Sequence, residues 1–447
     1  MDGQPKITTD GKDQGHNRAE ILARFRAVRD GSMDLAAPLS AEDQCIQSMD
    51  DVSPTKWHLA HTSWAFETFV LKPFDPGYGE FHPDYNYLFN SYYETVGPRH
   101  LRPKRGLLSR PALDQIHAYR RHIEDAVAAL IDAANEKKWA EMAAFVDLAL
   151  NHEQQHQELM LTDIKHVFSC NPLQPVYQAY KPAKGNAGAG RGDFGKPEWI
   201  EFPEGLVETG VDGNGDGFTF DNESPRHKVW LNGFRIATRP VRNGEYLKFI
   251  EDGGYRRPEF WLSNGWAAVQ AETWTAPLYW RQQGDAEKNG GDWRLMTLAG
   301  ERALDPVEPV CHVSMFEAAA FAKWAGKRLP LEAEWECLAA DLPVQGNFAD
   351  SGHFHPVPGP EAATSGTAAQ VFGDVWEWTS SAYAAYPGYR AADGVLGEYN
   401  GKFMSGQMVL RGGSAVTPEG HVRASYRNFF YPPDRWQFSG LRLAEDI

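Results

Sequence analysis

Cysteine is scarce in this chain: four in 447 residues, at Cys45, Cys170, Cys311 and Cys337. No two are spaced as Cys-x-x-Cys, which argues against a disulfide framework and against a cysteine zinc site; the four are expected to be reduced and buried. Basic charge is also short. Lys and Arg number 44 against 60 Asp and Glu, a net charge of -16. That balance repels phosphate backbones and anionic membrane surfaces, so nucleic acid is not an expected partner. Long apolar runs are missing too: residues 1–15 lack the apolar core of a signal peptide, and no later stretch is long and apolar enough to cross a bilayer. The expectation is a soluble, cytoplasmic protein with no membrane partner. There is no internal repeat, and the one low-complexity stretch is Lys184-Gly185-Asn186-Ala187-Gly188-Ala189-Gly190.

The length exceeds one ordinary core, so two domains are the natural prior. Up to about residue 170 the sequence reads as four helices: Ala19 to Arg29, a segment entering His61 and running to Leu71, Leu113 to Ala134, and Trp139 to Val167. Four helices make a bundle. Ser53 is placed to cap the second helix, Pro54 to open it and Pro73 to help end it. Phe74 to Pro111 is a long irregular stretch, a length that usually carries function. It holds Asn90-Ser91-Tyr92-Tyr93-Glu94 and the basic run Arg99-His100-Leu101-Arg102-Pro103-Lys104-Arg105-Gly106. In an acidic protein that run suits a carboxylate, though a solvated loop has the same composition. Beyond the glycine-rich stretch come short strand-like runs (Lys228 to Leu231, Met408 to Arg411), many glycines and tryptophans, and two notable helices, Met315 to Ala325 and Leu331 to Ala340. The fold class is therefore α+β, with a helical domain over 17–180, a linker over 181–198 and a mixed domain over 199–447.

The strongest chemical signal lies in the helical half. His152 and His156 are four apart, so both imidazoles leave one helix face. About ninety positions earlier, Trp57-His58-Leu59-Ala60-His61-Thr62 offers a third imidazole, and a bundle can bring facing helices together around a metal. Three neutral imidazoles suit iron, zinc, copper or nickel. A solvated histidine pair is the bland alternative. A zinc hydrolase is another, since His152-Glu153-x-x-His156 places Glu153 as a base; its extended protease form fails at Leu159 and Thr162, where glycine and a third histidine are needed. Asp212 to Gly217 with Glu223 at the twelfth place matches an EF-hand calcium loop, but strand-like flanks favour a plain turn.

Five motifs then run in order: Phe220-Asp221-Asn222-Glu223; Gly326-Lys327-Arg328-Leu329-Pro330 followed by Glu332-Ala333-Glu334-Trp335-Glu336; Gly373-Asp374-Val375-Trp376-Glu377-Trp378-Thr379; Leu410-Arg411-Gly412-Gly413-Ser414; and Phe438-Ser439-Gly440-Leu441-Arg442. With them the second half resembles the formylglycine-generating-enzyme (sulfatase-modifying-factor) domain, a C-type-lectin-like fold, and the first half resembles a DinB-like four-helix bundle. Over residues 17–447 the chain resembles the ergothioneine-biosynthesis sulfoxide synthases, the EgtB family. The resemblance implies non-haem Fe(II) and O2, used to join the imidazole C2 of hercynine, a trimethylated histidine, to a thiol sulfur as a sulfoxide. It implies His61, His152 and His156 as iron ligands and Gln155 as a hydrogen-bond partner of the hercynine imidazole.

The same resemblance implies that Tyr92 or Tyr93, with Tyr93 ahead, supplies a proton and steers the reaction from sulfur oxidation to C–S bond formation. It implies Arg102 and Arg105 as holders of the thiol substrate's carboxylate, with Arg435 next in line. Phe429, Phe430 or Trp436 could face the quaternary ammonium. Two departures stand out. The Trp-Asp pair of the actinobacterial branch is missing from Arg427-Asn428-Phe429-Phe430-Tyr431-Pro432-Pro433-Asp434-Arg435-Trp436, which favours cysteine over γ-glutamylcysteine as the donor. Residues 420–426 carry no cysteines for copper, so the second domain is expected to be a scaffold whose C-terminal loop walls the pocket. C–Se bond formation from hercynine and a selenosugar shares most of these motifs, and a lectin-like binding module with a structural metal is the non-enzymatic alternative.

Overall fold

The computed structural model describes residues 17–182, 196–212, 217–283, 292–359, 366–391 and 397–447. Most of the glycine-rich linker and positions 213–216 of the calcium-like loop lie outside them. The architecture is α+β, in two compact units: Met1–Pro172 with Asn214–Asp221 and Arg390–Lys402, and Leu173–Gly213 with Asn222–Tyr389 and Phe403–Ile447. The first unit thus recruits two segments from far along the chain.

Its helices are Arg18–Ala36, Thr55–Phe66, Leu113–Ala133 and Glu136–Cys170. Side chains of Asn17 and Asn135 cap the first and last by accepting from Ala19 N and Lys138 N. The second helix starts differently from the expectation: Pro54, whose ring has no polar group, occupies the cap position, and the Ser53 hydroxyl accepts from Arg105 Nη1 at 2.9 Å. Pro73 falls inside the final turn, Lys72–Phe74, after a π-helical stretch, Glu67–Leu71, and the helix stops at Asp75. The long connection is less irregular than expected, containing the helix Tyr85–Phe89 and a 3-10 turn, Arg102–Leu107.

Every residue of Thr55–Phe66 is buried, polar ones included. A helix buried all round must find internal partners for its polar groups. One buried ion cluster provides several of them and ties the four helices together. Glu153, fully buried, accepts from Arg29 Nη1 at 2.9 Å, Arg120 Nη2 at 3.0 Å and Ser32 Oγ at 2.6 Å. Arg29 also donates to Ser63 Oγ, and Arg120 to the Leu59 carbonyl and Thr62 Oγ1.

In the second unit a four-stranded sheet runs Asn428–Phe430, Met408–Arg411, Trp376–Ala382, Ser439–Gly440, and a three-stranded sheet runs Trp199–Phe202, Phe234–Ala237, Ala444–Asp446. Helices Met315–Trp324 and Glu332–Ala339 pack beside them. The motifs quoted above meet in this core. Buried Arg442 donates to both carboxylate oxygens of Glu377 at 2.8 and 2.9 Å, and the Trp335 indole donates to the same group at 2.7 Å. Gly412 is required where it stands: its φ is +99°, and a Cβ there would meet the Val371 carbonyl oxygen at 2.5 Å.

All four cysteines are free, and the expected burial holds for Cys311 alone; Cys170, the last residue of its helix, is exposed. Among the described residues no helix is long and apolar enough to cross a membrane.

Candidate metal centre

His61 leaves Thr55–Phe66, and His152 and His156 leave one face of Glu136–Cys170. All three are buried, with one ring nitrogen each within 4.8 Å of the others. His61 Nδ1 lies 2.5 Å from the Phe89 carbonyl oxygen. A carbonyl can only accept, so Nδ1 carries the proton and Nε2 keeps its lone pair. That Nε2 stands 3.2 Å from His152 Nε2, a gap that two metal–nitrogen bonds of about 2.1 Å can span. Trp57 and Trp64 stack on His61 with ring centroids at 4.6 and 5.3 Å, fixing its plane.

Burial, reinforced by neighbouring imidazoles, holds His61 and His156 well below the usual histidine range, and burial pulls His152 down to about 4. The rings are therefore neutral near pH 7, the state that binds metal. An all-nitrogen trio converging in a dry interior fits iron, zinc, copper or nickel, and three protein ligands leave further positions open to substrates. Glu153 takes no part in this. Its carboxylate faces the guanidinium cluster, and although burial alone would raise its pKa, Arg29 and Arg120 outweigh that and hold it at about 2. A group with both oxygens so engaged is unavailable as a general base, which removes the zinc-hydrolase reading.

Beside the histidines a small cavity is lined by Phe69, Tyr93, Leu148, Ala149, His152 and Tyr399. Tyr93 is buried, its hydroxyl 3.4 Å from that of Tyr92, and burial with Tyr92 and Tyr399 nearby pushes its pKa well up, so the phenol keeps its proton.

Residues 24–160 match the DinB superfamily, and residues 191–368 and 344–447 match the sulfatase-modifying factor enzyme 1-like domain. The chain is 34% identical over 459 residues to the hercynine oxygenase of Mycolicibacterium thermoresistibile, covering 96% of each chain. It is 34% identical over 449 residues to that of Mycobacterium tuberculosis, covering 95% of this chain and 97% of the relative. The chain belongs to the hercynine oxygenase family. That makes it an enzyme, an oxidoreductase. The formylglycine-generating enzyme of Streptomyces coelicolor is 29% identical over 55% of this chain and 88% of its own, which reflects the shared second domain.

Within this hercynine oxygenase family member the other sequence-selected residues are distributed unevenly. Gln155 sits on the turn between the two helix histidines, its Oε1 accepting from the Tyr399 hydroxyl at 2.5 Å. Arg105 is buried, its guanidinium 3.3 Å from the centre of the Trp57 ring. Arg102, on the same turn, is exposed and donates to the Asp51 carbonyl. In the second unit Phe429 stacks on Tyr383 at 4.0 Å, Phe430 packs on Trp436 at 5.7 Å, and Arg435 is paired with Glu317 at 2.9 Å. Glu223, twelfth in the calcium-like loop, is engaged by Arg423 and by Ser425 Oγ at 2.6 Å.

Two residues beside the histidines went unnoticed in the sequence. Tyr399 reaches the cavity from a segment more than 240 positions away from Gln155, with no local signal to announce it. His58 belongs to the Trp57-to-Thr62 motif, yet one histidine of that motif was expected to suffice. Its Nδ1 lies 2.8 Å from His156 Nδ1.

Proposed function

We propose that this chain is a cytoplasmic, non-haem iron(II)- and O2-dependent enzyme of ergothioneine biosynthesis. It joins hercynine to a thiol, cysteine in preference to γ-glutamylcysteine, as a hercynyl sulfoxide. The observation that carries this is the buried trio His61, His152 and His156 beside a cavity that Tyr93 lines, in a chain similar along its length to hercynine oxygenases. The reaction balances: the ring C2–H and the thiol S–H are lost, a C–S bond forms, one oxygen of O2 ends in the sulfoxide and the other in water.

Iron(II) held by the three imidazoles supplies O2 reduction and a site where the thiol ionises. The remaining work falls to the chain. Gln155, held by Tyr399, presents its amide to the hercynine imidazole. Tyr93 keeps its proton on a buried phenol beside the cavity and would donate it where C–S bonding and thiol oxidation diverge. Burial, with Arg102 and Arg99 near, lowers the pKa of Arg105 against the opposing charge of Asp163, and its Nε has no partner among the described residues. A donor carboxylate would add counter-charge there, with Arg102 at the exposed end of the same turn. Arg435, already paired with Glu317, is the weaker candidate.

The test is anaerobic loading with Fe(II), then exposure to O2 with hercynine and cysteine, γ-glutamylcysteine or a selenosugar in separate reactions, with products read by mass spectrometry. A hercynyl cysteine sulfoxide is the expected product. Product from the selenosugar alone would assign C–Se bond formation instead, and no product from any donor by iron-loaded protein would overturn the reading.

A further inference from the structure

We propose that His58 and Asp163 form a positioning relay that fixes His156 in the one tautomer able to bind metal through Nε2. The inference rests on the histidine trio being a metal site, but on no particular reaction. Asp163 Oδ2 lies 3.0 Å from His58 Nε2, and His58 Nδ1 lies 2.8 Å from His156 Nδ1. All three side chains are buried. Asp163 is itself anchored, since Oδ2 also accepts from the Ser53 backbone N–H at 2.8 Å.

The proton positions follow in sequence. A carboxylate only accepts, so the shared proton with Asp163 sits on His58 Nε2. His156 can offer Nε2 to a metal only with its proton on Nδ1, so Nδ1–H donates across 2.8 Å to the bare Nδ1 of His58, which keeps its own proton on Nε2. The opposite tautomer of His156 would set two lone pairs against each other in a dry interior and place a hydrogen where the metal must bind. With both ring nitrogens committed, His58 is not a fourth ligand.

The three metal-facing rings are therefore held unequally. His156 is backed by a charged relay and His61 by the neutral Phe89 carbonyl, while His152 Nδ1 has no partner among the described residues. The relay spans the same two helices as the trio: His58 is one turn before His61, and Asp163 lies two turns beyond His156 on the long helix. Positioning and ligation are thus built on one rigid frame.

The experiment measures Fe(II) and Co(II) dissociation constants anaerobically, by competition with a chelator, for Asp163→Asn, His58→Gln and the double variant, with the Co(II) absorption spectrum recorded at saturation. Expected is one ion per chain in every variant, affinity weakened roughly ten- to a hundredfold in each, and shifted Co(II) bands. Because the two act in series, the double variant should bind no more weakly than His58→Gln alone. Unchanged affinity in both single variants, losses that add in the double, or a stoichiometry below one at saturation for His58→Gln would each overturn the relay. So would a drop in the melting temperature of the metal-free variants large enough to account for the lost affinity, since the residues would then only support the bundle. No hercynine is needed, so the relay can fail while the proposed reaction stands, and the reverse.

Discussion

His61, His152 and His156 are separated by up to 95 positions in sequence yet present nitrogens within 4.8 Å of one another. Replacing any one by alanine should weaken metal binding by more than the roughly 10- to 100-fold typical of losing an outer-shell partner, with far-ultraviolet circular dichroism unchanged. Full iron stoichiometry in a His61→Ala protein would show that the trio is not the site. Tyr93 poses a different question, because its phenol touches the cavity and not the converging nitrogens. Tyr93→Phe should retain metal but lower C–S product formation about 100-fold, with oxidised thiol rising in its place. An unchanged product ratio in both Tyr93→Phe and Tyr92→Phe would remove tyrosine from the chemistry. The i,i+4 spacing made two of the clustered histidines legible from the sequence. Asp163 and Tyr399 were not legible: a carboxylate seven positions beyond a histidine, or a tyrosine in a glycine-bearing stretch, is unremarkable until the fold supplies its partner.

At the scale of elements, the extents of Leu113–Ala133 and Glu136–Cys170 were legible because the apolar spacing is sustained, whereas the first helix runs on to Ala36, past its expected end at Arg29, and the start of Thr55–Phe66 was misread. Ser53 has a good capping side chain, but Arg105, fifty-two positions on, claims its hydroxyl. Competition of that kind has no sequence signature. The buried cluster on Glu153 yields a stability prediction. Glu153→Gln leaves the buried Arg29 and Arg120 with only the partly exposed Glu124 as shared counter-charge, which should destabilise the bundle by about 3–5 kcal/mol in chemical denaturation. The pH dependence has a definite sign. The Glu153 pKa is depressed from 4.5 to about 2, so its contribution is complete above pH 4.5 and is lost as pH falls from there toward 2. The variant should therefore differ most from the parent above pH 4.5 and converge on it in acid. A stability gap that persists undiminished at pH 2 would assign the loss to packing.

At the scale of the whole chain, the order of domains was legible from motifs, but the composition of the first unit was not, because a linear reading assigns each stretch to its neighbours. Arg390–Lys402 belongs with the helices. From it Glu398 accepts the backbone N–H groups of Glu94 and Thr95 at 2.9 and 3.0 Å, Lys402 donates to the Tyr92 carbonyl, and Tyr399 donates to Gln155. A fragment cut at the linker, residues 17–180, would carry the three histidines but none of these bonds. It should bind metal, while the loop bearing Tyr92 and Tyr93 loses its tether. A hydrogen bond to a charged acceptor is worth about 1.5–3 kcal/mol, so amide exchange at Glu94 and Thr95 should quicken roughly tenfold or more in the fragment. Glu398→Ala in the full chain should reproduce that change at those two amides and leave exchange in Glu136–Cys170 as it was. If the loop is as well protected in the fragment as in the full chain, the late segment is dispensable, and residues up to 180 suffice to hold the tyrosines in place.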